Sequence, residues 1–233
     1  MPQKRIFKSA EAVENQAKAQ SHTRQQPRDK DATRQRILDA AEEVFSQKGY
    51  YGAMVDDIAD AAQTSKGGFY FHFPNKQSIF LALVQSLTPR IIQSVNHAIE
   101  SEQDPVARLD AALHVTVDLF ARHRRLSKIL LIEALSLGHE FDKAIFDARD
   151  QFIHLIQQRL QEAVEAKAIP QQDTAIAAAV WFGAINELVT RWLVTGSPEK
   201  LETVIPALRA LLLNSIGAPQ VFQSNSVESS AEL

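Results

Sequence analysis

Residues 65–73 gather a serine, a lysine, two consecutive glycines and the run Phe69, Tyr70, Phe71, His72, Phe73. Four aromatic carbocycles and an imidazole on little more than one helical turn are too many for one buried face, so some must face outward. Each glycine costs a helix about 1 kcal/mol relative to alanine, which makes sense where a backbone must come close to another surface. A tight helix–helix contact inside the fold is the alternative. Ser65 is a natural N-cap, and Pro74 disfavours helical geometry at the residue before it, so these groups share one short helix, 66–71. Another short helix, 55–62, precedes it across the turn at Gln63 and Thr64. Two short helices on so brief a turn form a helix-turn-helix, whose second helix enters the DNA major groove with its N-terminal residues toward the base edges.

The elements that must hold this pair are helical too. Ile37, Ala41, Val44 and Phe45 recur at helical spacing over 32–48, with Asp31 or Thr33 able to cap the start and Gly49 placed to end it. Asn75 caps a further helix toward Leu87. With Gly 8 and Pro 9 in 233 residues, long stretches pass without a turn residue, which disfavours an all-β chain. Breaks at 103–105, 122–125, 138, 169–170 and 196–198 divide the remainder into five more helices. The expected fold is therefore all-α, with about nine helices in two domains. Residues 31–80 form the helix-turn-helix DNA-binding domain and 81–217 a helical domain. Residues 1–30, rich in Gln, Lys, Arg and Ser, read as a flexible basic extension, and 218–233 as a disordered tail.

The formal net charge of −3 hides an uneven distribution: residues 1–36 carry +5, residues 37–88 carry −3 and residues 89–233 carry −5. A basic end on an acidic chain suggests an anionic partner there, with a solvated tail as the alternative. Cysteine is absent, which excludes disulfides and thiolate chemistry and fits a reducing, cytoplasmic setting. The longest unbroken apolar run, 175–185, falls short of the ~20 residues of a bilayer span, so no membrane partner is expected. An all-α enzyme is the weaker class, because no glycine-rich phosphate loop, nucleophile elbow or histidine pair at metal-ligand spacing occurs. No metal or cofactor is expected. A DNA-coating protein without sequence preference is a third class, which a discrete binding site would exclude.

The stretch TRQRILDAAEEVFSQKGYYGAMVDDIADAAQTSKGGFYFHFPNKQSIF, residues 33–80, with its SKGxxYxHFxNK core, resembles the N-terminal signature of the TetR family of transcriptional regulators. The resemblance implies that the second short helix reads the major groove. Its contact positions match Thr33, Ser65, Lys66, Gly67, Gly68, Tyr70, Phe71 and His72, with Lys76 touching phosphate. These roles are physically apt: Lys66 can reach a base acceptor or phosphate, Tyr70 and His72 can donate to phosphate oxygens, and Lys76 stands at a positive helix N-terminus. Phe69 and Phe73 are expected to anchor the core. Met54, Gln63 and Gly68 depart from the family pattern, replacing a capping hydroxyl, a turn glycine and a Thr, Ser or Ala. They leave the fold intact and shift specificity toward Lys66, Phe71 and DNA shape. Arg24, Arg28 and Lys30 could add minor-groove or phosphate contacts.

Beyond residue 80 the resemblance is architectural. It implies a homodimer built on the last two helices. The candidate interface comprises Ala177, Val180, Ala184, Leu188 and Trp192 on 173–194, and Leu201, Val204, Leu208 and Leu212 on a final helix opened by Ser197 and Pro198. An intrachain core is the alternative for these residues. The resemblance also implies a ligand cavity. Its candidate lining is Phe120, Ile129, Ile132, Phe141, Ile145, Phe146, Phe152 and Ile153, with Glu133, Arg149 or Asn186 fixing a polar end. Such a lining suits a hydrophobic inducer, such as an acyl chain or acyl-CoA. The implied function is a ligand-released repressor on a double-stranded, inverted-repeat operator.

Overall fold

A computed structural model describes residues 26–134 and 138–218; of the expected flexible extension, 1–30, residues 26–30 are described and are helical, and residues 1–25 and 219–233 lie outside the described residues. The described residues form nine α-helices: α1 Gln26–Gly52, α2 Val55–Ala61, α3 Lys66–His72, α4 Lys76–Ile99, α5 Pro105–Arg122, α6 Arg124–Lys128, α7 His139–Glu165, α8 Thr174–Thr195 and α9 Ile205–Ser215. A π turn, Ile129–Glu133, extends α6, and a 3-10 turn, Leu201–Val204, precedes α9. The all-α architecture matches the expectation from the sequence. The chain divides between Leu83 and Val84 into two compact units.

The N-terminal unit is built around aromatic residues. Phe45, Phe69, Ile37, Ile58, Ile79 and Phe80 are almost fully buried, and Phe45 meets both Tyr50 and Phe80 at ring-centroid distances of 5.7 and 5.9 Å. Helix α1 begins earlier than the expected start near residue 32, running through Asp31 and Thr33 as ordinary helical positions. The added turn has tertiary support. Lys30 lies over the Phe71 ring at 4.8 Å and Arg34 over Phe73 at 5.1 Å. Gly49 interrupts α1 with φ 75, a left-handed conformation that glycine adopts without penalty.

In the C-terminal unit, α7 and α8 form the most extensive helix pairing, with Leu160, Ala163, Ala178 and Trp181 buried between elements. The Trp181 indole donates to Ser215 Oγ at 3.2 Å, and Arg209 Nε donates to Asp110 Oδ1 at 2.6 Å, tying α9 to α5. Asp173 caps α8 through two backbone N–H groups, and Gly196 closes it at φ 70.

Two expected boundaries fall elsewhere. Helix α4 continues past Leu87 through Pro89 to Ile99. Proline deprives the Gln85 carbonyl of its helical donor, but Gln85 is exposed to water, while Val95 and Ile99 are buried and reward continuation. The final helix does not open at Ser197 and Pro198, a cis pair. The chain turns there, buries Leu201, and starts α9 with Pro206 in its first turn. By length and composition α4 is apolar enough to cross a membrane, although its longest unbroken apolar stretch is short. Ile79, Phe80, Leu83, Leu87, Val95 and Ile99 of this helix are buried within the fold.

Candidate nucleic-acid interface and ligand cavity

The turn between α2 and α3 is tight. Ala62 ends α2, Gln63 takes φ 52, and the Thr64 N–H returns to the Ala59 carbonyl at 2.9 Å. Gln63 thus accepts the left-handed conformation a glycine would take more cheaply, as the sequence implied. Ser65 caps α3 by accepting from the Gly68 N–H at 3.0 Å. Phe69 is fully buried and Phe73 nearly so, fixing the helix from below, while Tyr70 and Phe71 stand 46% and 69% exposed. The four benzenoid rings at 69, 70, 71 and 73 therefore split between core and solvent, as their crowding requires.

Lys66 heads the exposed face. Its ammonium pairs with Asp56 of α2 at 2.7 Å, which raises the lysine pKa and holds the side chain extended in front of the helix. Both partners are more than half exposed, so the pair is weak and a phosphate or base could replace the carboxylate at little cost. A Cβ on Gly67 would meet nothing nearer than Ser65 Oγ at 3.8 Å. No intrachain contact within 3.8 Å of that Cβ demands a glycine there. Gly68 differs: a Cβ there would lie 2.4 Å from Thr64 Oγ1, so the turn itself excludes a side chain unless Thr64 rotates. His72 is half-buried with its pKa lowered, first by burial and then by Lys30 and Arg34.

One expected contact residue is turned inward, and another already holds a side-chain hydrogen bond. The Lys76 ammonium donates to the carbonyls of Tyr50 at 2.8 Å and Ala53 at 3.0 Å and lies over the Tyr50 ring at 4.5 Å. Burial lowers its pKa. Lys76 is thus a brace between α4 and the end of α1, with its charge already engaged. Thr33 Oγ1 accepts from Arg36 at 3.3 Å on the exposed face of α1. Arg34 and Asp56 were not singled out from sequence, since nothing in their spacing marks a helix that will cross α3, or an acid ten residues before its lysine.

The C-terminal unit contains a cavity of about 120 Å³ between α4, α5, α7 and α8. Of the expected lining, Phe120, Ile145, Arg149, Phe152 and Asn186 are there. Ile129 and Phe141 are instead almost fully buried in packing, and Phe146 is 57% exposed. Ile132, Glu133 and Ile153 do not line it either. Leu87, Ile91 and Val95 of α4 and Leu113 of α5 do. Sequence gave no hint of the α4 residues, because the helix was expected to stop at the first of them.

Comparison with known families resolves what this pair of units is. Residues 37–83 match the family model for bacterial regulatory proteins of the tetR family, and residues 102–216 match the tetracyclin repressor-like C-terminal domain. The chain belongs to the TetR family of transcriptional regulators. Among TetR relatives, the HTH-type transcriptional regulator AcrR of Shigella flexneri is 30% identical over 171 residues, covering 69% of this chain and 78% of that protein. The fatty acid metabolism regulator protein of Bacillus subtilis is 24% identical over 181 residues, covering 77% of this chain and 93% of the relative. The same TetR fold recurs in a solved structure of FadR from Bacillus subtilis in complex with stearoyl-CoA, with a TM-score of 0.69, 24% identity, and coverage of 78% and 98% of the two chains.

The last two helices of this TetR-family chain distribute their apolar residues unevenly. Trp192, Leu201, Leu208 and Leu212 are buried within the chain's own core, and Trp192 carries Arg124 over its ring at 4.5 Å. Ala177, Ala184, Leu188 and Val204 pack partly against the same core. Val180 stays 57% exposed, joined by Ile176 at 63% and Leu211 at 70%. Ile176, Val180 and Gly183 follow one face of α8 at helical spacing, and a Cβ on Gly183 would meet only open space.

Proposed function

We propose that this regulator is a homodimeric repressor that occupies an inverted-repeat operator and is released when a hydrophobic ligand enters the C-terminal cavity. The observation that carries the reading is the exposed front of α3, where Lys66, Gly67, Tyr70 and Phe71 stand free of core duties beside a capped N-terminus. Two copies of α3 in successive major grooves require a spacing of about 34–36 Å. The exposed stripe of Ile176, Val180 and Leu211 supports dimerisation through α8 and α9. Helix α4 supports ligand response, because the helix that begins with the Lys76 brace also lends Leu87, Ile91 and Val95 to the cavity wall. A ligand that spreads this wall would move α4 and change the separation of the recognition helices. The fatty acid metabolism regulator and the stearoyl-CoA complex among its relatives favour an acyl chain, free or as a thioester. The protein would work where its operator lies, in the bacterial cytoplasm, and by regulation instead of catalysis.

Selection of fragmented genomic DNA by the purified protein at about 150 mM salt tests this, because nonspecific binding weakens steeply there. An enriched inverted repeat is expected. On that site Tyr70→Ala weakens all sequences alike, whereas Lys66→Ala also relaxes preference at the bases it faces. Enrichment of no sequence would instead favour a DNA-coating protein.

A further inference from the structure

We infer that the cavity takes an apolar ligand headed by a free carboxylate, with the carboxylate against Arg149; this rests on the ligand-responsive reading above and specifies its chemistry. The lining includes two arginines, Arg149 and Arg159, and no aspartate or glutamate. Arg159 shares a buried Nε without an acceptor, but its charge is paired, since its Nη1 donates to Glu162 at 2.9 Å, a carboxylate that also lies 3.7 Å from Arg108. Arg149 has no ion pair among the described residues. Its Nε is buried with no hydrogen-bond acceptor, and its guanidinium carbon lies 5.8 Å from the Phe146 ring centroid. A guanidinium N–H removed from water without an acceptor is among the costlier arrangements a fold can retain. An anion arriving with the ligand repairs it, and the planar fork of arginine matches the two oxygens of a carboxylate.

The other polar lining atoms agree. Thr88 and Thr116 already donate to Val84 and Ala112 carbonyls, so neither asks for a ligand partner. Asn186 Oδ1 is buried and unpartnered, and its amide can turn either oxygen or NH₂ toward a head group. The rest of the wall is apolar, with Leu87, Ile91, Phe120 and Phe152 available to an alkyl body. A thioester would present Arg149 with no charge, and the phosphates of coenzyme A lie far from the thioester carbon. The free acid fits the unpaired cation better than its thioester.

Calorimetry on the full-length protein tests this with octanoate, dodecanoate and hexadecanoate beside the matching alcohols and coenzyme A thioesters. At least one acid is expected to bind about tenfold or more tightly than its alcohol, and Arg149→Gln is expected to erase that preference while leaving the alcohol's affinity within about twofold. The wild-type acid-to-alcohol ratio needs no variant, so a misfolded Arg149→Gln protein would not obscure it. Equal binding of acid and alcohol overturns the carboxylate assignment and leaves the apolar-ligand reading standing. Binding of thioesters but not acids also overturns it. Binding by none of the compounds overturns both readings.

Discussion

The cations around the recognition helix and the arginine at the cavity of the other unit, Arg149, are placed in opposite ways. In the N-terminal unit each cation near the recognition helix already has a partner: Lys66 rests on Asp56, Lys48 on Asp57, Lys76 on two carbonyls, and Lys30 and Arg34 on aromatic rings. In the C-terminal unit Arg149 faces an apolar cavity with its Nε unsatisfied. Water explains the difference. An exposed Lys66 pairs weakly and can exchange Asp56 for a phosphate at small cost, so its pairing is a resting position. The buried Nε–H of Arg149 has no such fallback, and its unsatisfied state points to a molecule that completes it.

That contrast can be broken by replacing residues that look alike in sequence but differ in placement. Phe69→Ala should cost about 3–5 kcal/mol of stability in a denaturant melt, because the ring is fully buried. Phe71→Ala, two residues on and 69% exposed, should cost no more than about 1 kcal/mol, the worth of its contact with Lys30, while weakening operator binding. Equal costs would mean that α3 is not divided between core and interface. Next in size is Lys76→Met. It strands the carbonyls of Tyr50 and Ala53, both in buried residues, and should cost about 2–3 kcal/mol. A loss of DNA affinity with stability unchanged would restore Lys76 to the phosphate-contacting role and remove the brace.

Legibility followed the reach of the signals. The helix-turn-helix was readable because its cues are local: the Ser65 cap, the stop before Pro74, and the turn at Gln63 that held without glycine. Local cues also misled. Pro89 looks like an end to α4, yet burial of Val95 and Ile99 carries the helix through it. Ser197, Pro198 and Glu199 look like an ideal helix start, yet burying Leu201 and Ile205 moves the start of α9 to Ile205. Apolar periodicity marked the stripe of α9 without telling a partner subunit from the chain's own core, and Leu201, Leu208 and Leu212 went to the core. The cavity was least readable, since apolarity alone cannot distinguish Phe152, which lines it, from Phe141, which packs away from it. Arg149 and Asn186 were found because polar residues among apolar ones need a reason to be there.

A smaller effect comes from the start of α2. Met54 occupies its N-cap position with no side-chain oxygen to offer, and only the reciprocal bond from its own N–H to Asp57 at 3.0 Å is made. Met54→Thr should raise stability by about 1 kcal/mol in a thermal melt. No gain would mean that the Asp57 carboxylate already satisfies this helix start, sharpening the view that the unit's exposed charges do structural duty at rest.

The smallest effect, and the most discriminating for the interface, is the pH dependence carried by His72. Its pKa in the folded protein lies below the ordinary 6.5, through burial first and then the charges of Lys30 and Arg34. Between that lowered value and about 6.5 the unfolded chain holds the proton more than the native one, so His72 makes the fold less stable as pH falls through this window. His72→Gln should remove that slope, seen as a shallower loss of melting temperature on acidification. DNA reverses the sign. If a phosphate faces the imidazole, the bound complex raises the pKa, takes up a proton, and binds more tightly as pH falls from about 7.5 to 6, where the glutamine variant shows a flatter response. Parallel binding curves for the two proteins would remove His72 from the interface and leave its burial, with the cations over Phe71 and Phe73 second, as a purely intrachain cause of its low pKa.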